Sequence, residues 1–186
     1  MSVLSPIFRS HRSIRRFTQQ LVDDQVIERV ISDAMAGASS FGNLCNVSAI
    51  LTTDPEEKRA LGRLHGQELV NGAPAALTFC ADVFRTRRWL SIHEARDNFD
   101  NFLGYHAAIC DTLILAQNVC LGFEAEGLGI CYLGTTLQRM SEIAEFLGLP
   151  ETCAPLLTIV LGHPDETPEP RPRLPLAAVQ IGRAHV

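Results

Sequence analysis

Apolar positions first fall on helical rows between residues 24 and 35. Val26, Val30 and Ala34 form one row and Ile27, Ile31 and Met35 the next, which together make one stripe at the helical period. Asp23 or Asp24 is placed to cap its start. A second helix is predicted over 55–69, with Thr53 or Asp54 as the cap and Pro55 in the first helical position. A third, over 101–126, is apolar nearly all round: Phe102, Leu103, Ile109, Leu113, Leu115, Val119 and Phe123 cover several faces. Such a helix must be buried on most sides. At ~25 residues it is roughly 40 Å long by the standard rise, more than a chain of this size wraps alone, which points to a subunit interface. A fourth helix, over 140–147, meets a stop at Gly148 and Pro150.

Three short apolar runs, 47–52, 75–81 and 156–161, read as strands, and 130–133 between Gly129 and Gly134 as a fourth. Strands alternating with helices give an α/β or α+β class with a sheet covered by helices. No GxGxxG or GxxxxGK[ST] occurs, which argues against a Rossmann or P-loop site. The chain has no internal repeat and no linker, and its 186 residues make one domain, 1–186.

Composition narrows the function. Hydrophobic residues are 46% and charged residues 20%, as in a soluble globular protein, and 16 basic against 21 acidic residues give a net charge of −5. That balance disfavours general nucleic-acid binding, which rests on neutralising phosphates. The N-terminus lacks the apolar run of a signal peptide, and the longest apolar region is interrupted by His106, Asp111, Gln117 and Asn118, so neither secretion nor a membrane span is expected. None of the six cysteines forms a CxxC pair or a zinc-spaced cluster. No metal site is expected; Cys80, Cys110, Cys120 and Cys131 read as small core residues of a reduced, cytoplasmic protein. His106, on the long helix, reads as a satisfied core histidine.

Candidate chemistry sits in four places. The first is His11-Arg12-Ser13-Ile14-Arg15-Arg16, which offers guanidinium forks, a hydroxyl and backbone N–H groups, the donor set a phosphate dianion wants. The second lies in a proline-rich segment, 163–186, read as an extended arm on the body; it carries Arg171 and Arg173, which point the same way if extended. Short basic runs are also ordinary solvated surface, and both readings stand on composition alone. The third is the loop Ser39-Ser40-Phe41-Gly42-Asn43, whose small polar side chains suit a ring edge or an ordinary turn. The fourth is Gly127-Leu128-Gly129 through Tyr132, Leu133 and Gly134, where glycine lets backbone approach a flat ligand or simply caps a helix before a strand.

In this order and register the pieces resemble the nitroreductase family. The resemblance rests on Arg12-Ser13-Ile14-Arg15-Arg16-Phe17, Ser39-Ser40-Phe41-Gly42-Asn43, Gly127-Leu128-Gly129 through Gly134, Leu147-Gly148-Leu149-Pro150, Leu161-Gly162-His163-Pro164 and Arg171-Pro172-Arg173-Leu174-Pro175. With His11 preceding Arg12, the opening is most similar to the NADPH-preferring branch of oxygen-insensitive nitroreductases and FMN reductases. The resemblance implies an α+β fold, an α/β sandwich with a central mixed sheet covered by helices, in a homodimer with a long buried central helix and FMN at the interface. It also implies electrons passing from NADPH or NADH to a small acceptor such as a nitroaromatic, quinone or flavin by a ping-pong route.

By the same resemblance, His11, Arg12 and Ser13 hold the phosphate and ribityl end, Arg171 and Arg173 close on the phosphate, and Arg15 lies by the N1/O2 edge of the ring. Ser39, Ser40 and Asn43 come from the partner chain, Gln67 touches the flavin, and Tyr132, Leu133 and Gly134 pass beside the ring with a backbone N–H toward N5. No side chain acts as a nucleophile. Trp89, Phe99 and Phe102 belong to a region that often covers the substrate, though a plain surface helix and loop also fits 84–99. The sequence departs from the pattern at Cys45-Asn46-Val47, where many members carry Gln and Pro-Trp, and at Thr135, where the branch often has Gly. The branch continues with a C-terminal extension that helps bind the pyridine nucleotide, whereas this sequence stops at Val186, which leaves NADPH and NADH both open as donor. Alternatives within the same resemblance are a flavin-binding redox sensor and a specialised chemistry, reductive dehalogenation or flavin fragmentation.

Overall fold

The computed structural model describes residues 4–179. Its centre is a four-stranded sheet in the order β1-β2-β4-β3, with β1 Val47–Thr52, β2 Ala75–Asp82, β3 Gly129–Leu133 and β4 Cys153–Gly162. All three ladders are antiparallel. The mixed sheet expected from the sequence reduces to one parallel bridge, Ser13 with Ile130, outside the named strands.

Alternation along the strands sends successive side chains to opposite layers. Leu77, Phe79, Ile159 and Leu161 face one layer, which they share with α2 (Asp24–Gly37) and α6 (Phe102–Ala125) through Ile27, Val30, Leu115, Val119 and Phe123. Ala76, Cys131, Leu133 and Val160 face the other, with Leu61 of α3 (Pro55–His65), Val70 of α4 (Leu69–Gly72) and Ile143 of α7 (Met140–Phe146). Both central strands are buried on both faces, which is why their sequences read as continuous apolar runs.

Three local outcomes differ from the sequence expectation. The helix begun at Pro55 ends at His65, because Gly66 adopts φ +63° and closes the last turn as a left-handed cap. Two further helices form, α1 (Leu4–Ser10) and α5 (Phe84–Ile92), where the sequence offers no clean apolar stripe. The C-terminal segment is extended, then turns into a short helix, α8 (Leu176–Val179); residues 180–186 of the expected arm lie outside the described residues. Among its described residues the arm is fastened near its root, where Asp165 N–H donates to Arg16 O at 2.9 Å. Leu174, Leu176 and Val179 are exposed and do not pack on the body of this chain.

The long helix is buried on one flank only. Ala108, Asp111, Leu115, Val119 and Phe123 face the sheet and α2, while Phe102, Leu103, Leu113 and Ile114 are exposed. In length and composition α6 could cross a membrane, but half of that stretch is buried inside the fold, as in a core helix. Two expectations fail on its open flank. His106 is exposed and stacked on Phe102, with ring centroids 5.7 Å apart, and Cys110 is exposed rather than a core residue.

Candidate active site

The basic opening is set by its backbone before any side chain matters. Ile14 N–H donates to Ile130 O at 2.9 Å, laying the segment against the outer edge of β3. Gly129 makes that approach possible: a Cβ there would stand 2.7 Å from Ile14 Cγ1. The space this glycine leaves is therefore filled by Ile14 rather than kept for a ligand. Gly134, by contrast, has nothing within 4 Å of where a Cβ would sit and is exposed at the end of β3.

Ile14 is buried, so its neighbours Ser13 and Arg15 are turned outward. The root of the C-terminal segment then folds back over them. Glu166 Oε1 accepts the Arg15 and Arg16 N–H groups at 2.5 and 3.2 Å, and its Oε2 accepts Arg16 Nε at 3.2 Å. Backbone donors, first that of Arg15, hold the Glu166 carboxyl below the usual carboxylate range. Arg12 adds a second clasp, donating from Nη1 to Pro168 O at 3.0 Å and from Nε to Ser10 O at 2.9 Å.

Together these clasps close a cleft of about 310 Å³ lined by His11, Arg12, Ser13, Arg15, Pro168, Glu169, Arg171 and Arg173. Six of the thirteen expected site residues thus converge from opposite ends of the chain. Arg171 and Arg173 make no ion pair with any described residue, so both guanidinium groups are available to an anion. Arg12 is largely committed to backbone carbonyls, and its role here is to shape the cleft.

A second group lies beyond the end of β3. Gln67 Nε2 donates to Thr135 Oγ1 at 3.2 Å, and Thr135 Oγ1 lies 2.7 Å from His65 Nδ1. The Thr135 hydroxyl accepts from Gln67 and pairs with Nδ1 as donor or acceptor according to the ring tautomer, and neither arrangement gives Nε2 a partner. That Nε2 is buried without a partner, and burial lowers the His65 pKa to about 4. Thr135, where the sequence departs from the resemblance, is thus tied to His65, and the two hold Gln67 beside Gly134. Tyr132 is partly exposed and donates to Gln117 Oε1 at 3.3 Å, while the Leu133 side chain is buried.

The third group is remote from the cleft on this chain. Ser40 donates to Asp111 Oδ2 at 2.8 Å and accepts the Cys45 N–H at 2.7 Å, so its hydroxyl is already engaged. Asp111 also accepts Phe41 N–H at 2.9 Å and Asn46 N–H at 3.0 Å. Ser39 and Asn43 stay exposed, the latter at φ +57°. Asp111 and Glu124, the latter beside the cleft, are thirteen residues apart on α6, about 20 Å along its axis. One chain therefore does not bring the Ser39–Asn43 loop to the basic cleft.

Of the expected cover, Trp89 is exposed on α5 with its ring tilted against His93, centroids 4.5 Å apart, Phe99 is half-buried and Phe102 exposed. The segment is braced by Arg87, which pairs with Asp97 at 2.6 Å and Asp100 at 3.3 Å. Arg85 ties α5 to the serine loop by donating to Cys45 O at 2.5 Å and Val47 O at 3.1 Å. The sequence reading missed Asp111, Glu124, Glu166 and His65 as organisers. Asp111 alone left a trace, as a carboxylate inside an otherwise apolar helix.

A helix-covered antiparallel sheet with a basic cleft built from both ends of the chain makes this an α+β protein of the sandwich class. Residues 8–163 match the Nitroreductase family, and the chain belongs to it. It is 35% identical over 176 residues to an FMN reductase (NADPH) of Bacillus subtilis, covering 91% of this chain and 69% of the relative. It is 37% identical over 172 residues to an NADPH-flavin oxidoreductase of Vibrio harveyi, again covering 91% and 69%. The structure of a nitroreductase from Bacillus subtilis superposes with a TM-score of 0.93 at 30% identity, covering 98% of this chain and 75% of that one.

Proposed function

We propose that the protein is an NAD(P)H-dependent FMN oxidoreductase that reduces a small acceptor such as a nitroaromatic, a quinone or a free flavin. The observation that carries this reading is the cleft where His11, Ser13 and Arg15 meet Arg171 and Arg173. Guanidinium forks and a hydroxyl around an open cleft are the donor set for a phosphate dianion, and the fit to the FMN phosphate follows from that chemistry. The names of the relatives, an FMN reductase and an NADPH-flavin oxidoreductase, support the same cofactor and donor.

When bound, FMN supplies the hydride-accepting and electron-donating centre, and the chain supplies binding and electrostatics. Arg171, Arg173, His11 and Ser13 bind the phosphate end, with Arg12 holding the arm over it. Arg15 would face the N1/O2 edge, where a fixed cation would favour the reduced ring. Gln67, its amide held by Thr135, would contact the ring, as would the backbone at Leu133 and Gly134 beside Tyr132. Trp89, Phe99 and Phe102 flank the acceptor.

A second copy of the chain completes the site. Its support is the exposed apolar flank of α6 and the 20 Å offset of the serine loop. In this homodimer the partner's loop delivers Ser39 and Asn43, while Ser40, engaged with Asp111, shapes the loop from within. Residues 1–186 act as one FMN-binding unit, with 163–186 as its closing arm. Six free cysteines fit a reducing compartment, the cytoplasm.

The test is to record the visible spectrum of the purified protein and add NADPH or NADH without oxygen. Flavin absorbance near ~450 nm that bleaches with either donor, and recovers when an acceptor is added, is the expected result for cofactor-borne two-step turnover. A protein that stays colourless after incubation with FMN overturns the reading.

A further inference from the structure

Glu124 is the last residue but one of α6 and meets the basic cleft through His11. Its Oε1 accepts the Nδ1–H of His11 at 2.6 Å, a contact between residues far apart in sequence. The Glu124 side chain is only 11% exposed, and its Oε2 is buried without a partner. A carboxylate left half-satisfied inside a protein is costly, and a single short charge-assisted bond to an imidazole offsets part of that cost. The carboxyl is drawn two ways: burial raises its pKa and the His11 contact lowers it.

His11 lines the cleft. With Nδ1 committed to Glu124, Nε2 is the only polar atom of the ring left for a ligand. With a carboxylate accepting at Nδ1 and an anion accepting at Nε2, both ring nitrogens serve as donors. The other charged groups around the cleft are Arg12, Arg15, Arg171 and Arg173, opposed by Glu169. Glu124 thus meets the ring on its Nδ1 side, while Arg171 and Arg173 make no ion pair with any described residue.

We infer that Glu124 is a positioning residue that orients His11 and makes it a phosphate donor, so that it contributes to the recognition of FMN over its dephosphorylated form. The inference rests on the proposed phosphate cleft. It assigns Glu124 no contact with the flavin.

The test compares two ligands on the apo-protein, FMN and riboflavin, which share the ring and ribityl chain and differ only in the phosphate. Removing a charge-assisted hydrogen bond weakens binding by about tenfold or more. Glu124→Gln keeps the shape and removes the charge; it is expected to weaken FMN by about that factor and leave riboflavin unchanged. In a His11→Ala background the same substitution is expected to have no further effect on FMN, because Glu124 acts only through the ring. Equal weakening of both ligands would mean that Glu124 merely supports the fold, and overturns the inference. So does an unchanged FMN affinity in Glu124→Gln when Arg171→Ala/Arg173→Ala weakens it. If the double arginine variant leaves FMN affinity unchanged, the phosphate cleft itself falls, and the inference with it.

Discussion

The Ser40 hydroxyl donates to Asp111 Oδ2 at 2.8 Å, joining a loop to the middle of the central helix across 71 residues of sequence. The same carboxylate takes the Phe41 and Asn46 N–H groups, so one buried acid fixes the shape of the 39–46 loop. No cation pairs with it among the described residues. Its oxygens are satisfied by hydrogen-bond donors alone, as burial of a carboxyl group requires.

Replacing Asp111 with Asn therefore turns an amide NH₂ toward groups that are themselves donors. Loss of stability of about 2 to 3 kcal/mol is expected, since charge-assisted bonds are lost and a donor is left buried. Urea unfolding measures it directly. A change below ~0.5 kcal/mol, the range of an ordinary surface substitution, would show that the loop is held by other means.

His65 makes stability depend on pH. Burial brings its pKa to about 4 in the folded protein, below the ordinary histidine value. The unfolded chain therefore takes up a proton first as pH falls. The stabilisation is complete above the unfolded pKa and drains away between about pH 6.5 and 4. Between pH 7.5 and 5 the loss from this residue is about 2 kcal/mol. His65→Gln lacks that titration, so its unfolding free energy is expected to fall less over this interval than that of the wild type. Parallel curves for the two proteins would refute the assignment.

The sequence carried the periodic features and hid the long-range polar ones. Val47–Thr52 is found at its expected bounds, and α6 differs by one residue at each end, because side-chain alternation and a continuous apolar run are local signals. The arginine clusters were visible as clusters, and their meeting was expected from family resemblance rather than from spacing. What spacing cannot show is which acid answers which donor. Glu166 sits among prolines and reads as solvated charge, yet it binds two backbone N–H groups about 150 residues away. The open flank of α6 misled in the other direction. The pattern places His106 and Cys110 in a core, yet the core exists on one side of the helix only, because an all-round apolar pattern does not say which covering belongs to the same chain.

Glu166 and Glu169 lie three residues apart and are expected to act with opposite sign. Glu166 clasps the arm to the Arg15–Arg16 backbone, whereas Glu169 lines the cleft as a negative charge among arginines. Glu166→Ala loosens Arg171 and Arg173 and is expected to weaken FMN binding by about tenfold, the effect of losing charged hydrogen bonds. Glu169→Ala removes repulsion and leaves FMN affinity unchanged or tighter. Fluorescence titration of both apo-variants decides it, and weakening by Glu169→Ala with no effect of Glu166→Ala would reverse the roles drawn here.

Leu113 and Ile114 test the assembly. Both are exposed on α6, on the flank that also carries Phe102 and Leu103, and Phe41 of the serine loop is exposed close by, lining one hollow with Leu103 and Ile114. A carboxylate at Leu113 costs little on an isolated chain, because the position faces water. Inside an apolar interface it is an unpaired buried charge, which is costly enough to split a dimer. Leu113→Glu is therefore expected to leave a folded monomer in sedimentation equilibrium, with wild-type helix content. It should also have lost most of its FMN, because the partner's Ser39 and Asn43 no longer reach the ring. A monomeric variant that keeps FMN at wild-type affinity would place the whole cofactor site on one chain. A variant that remains a dimer would place the interface on a different face.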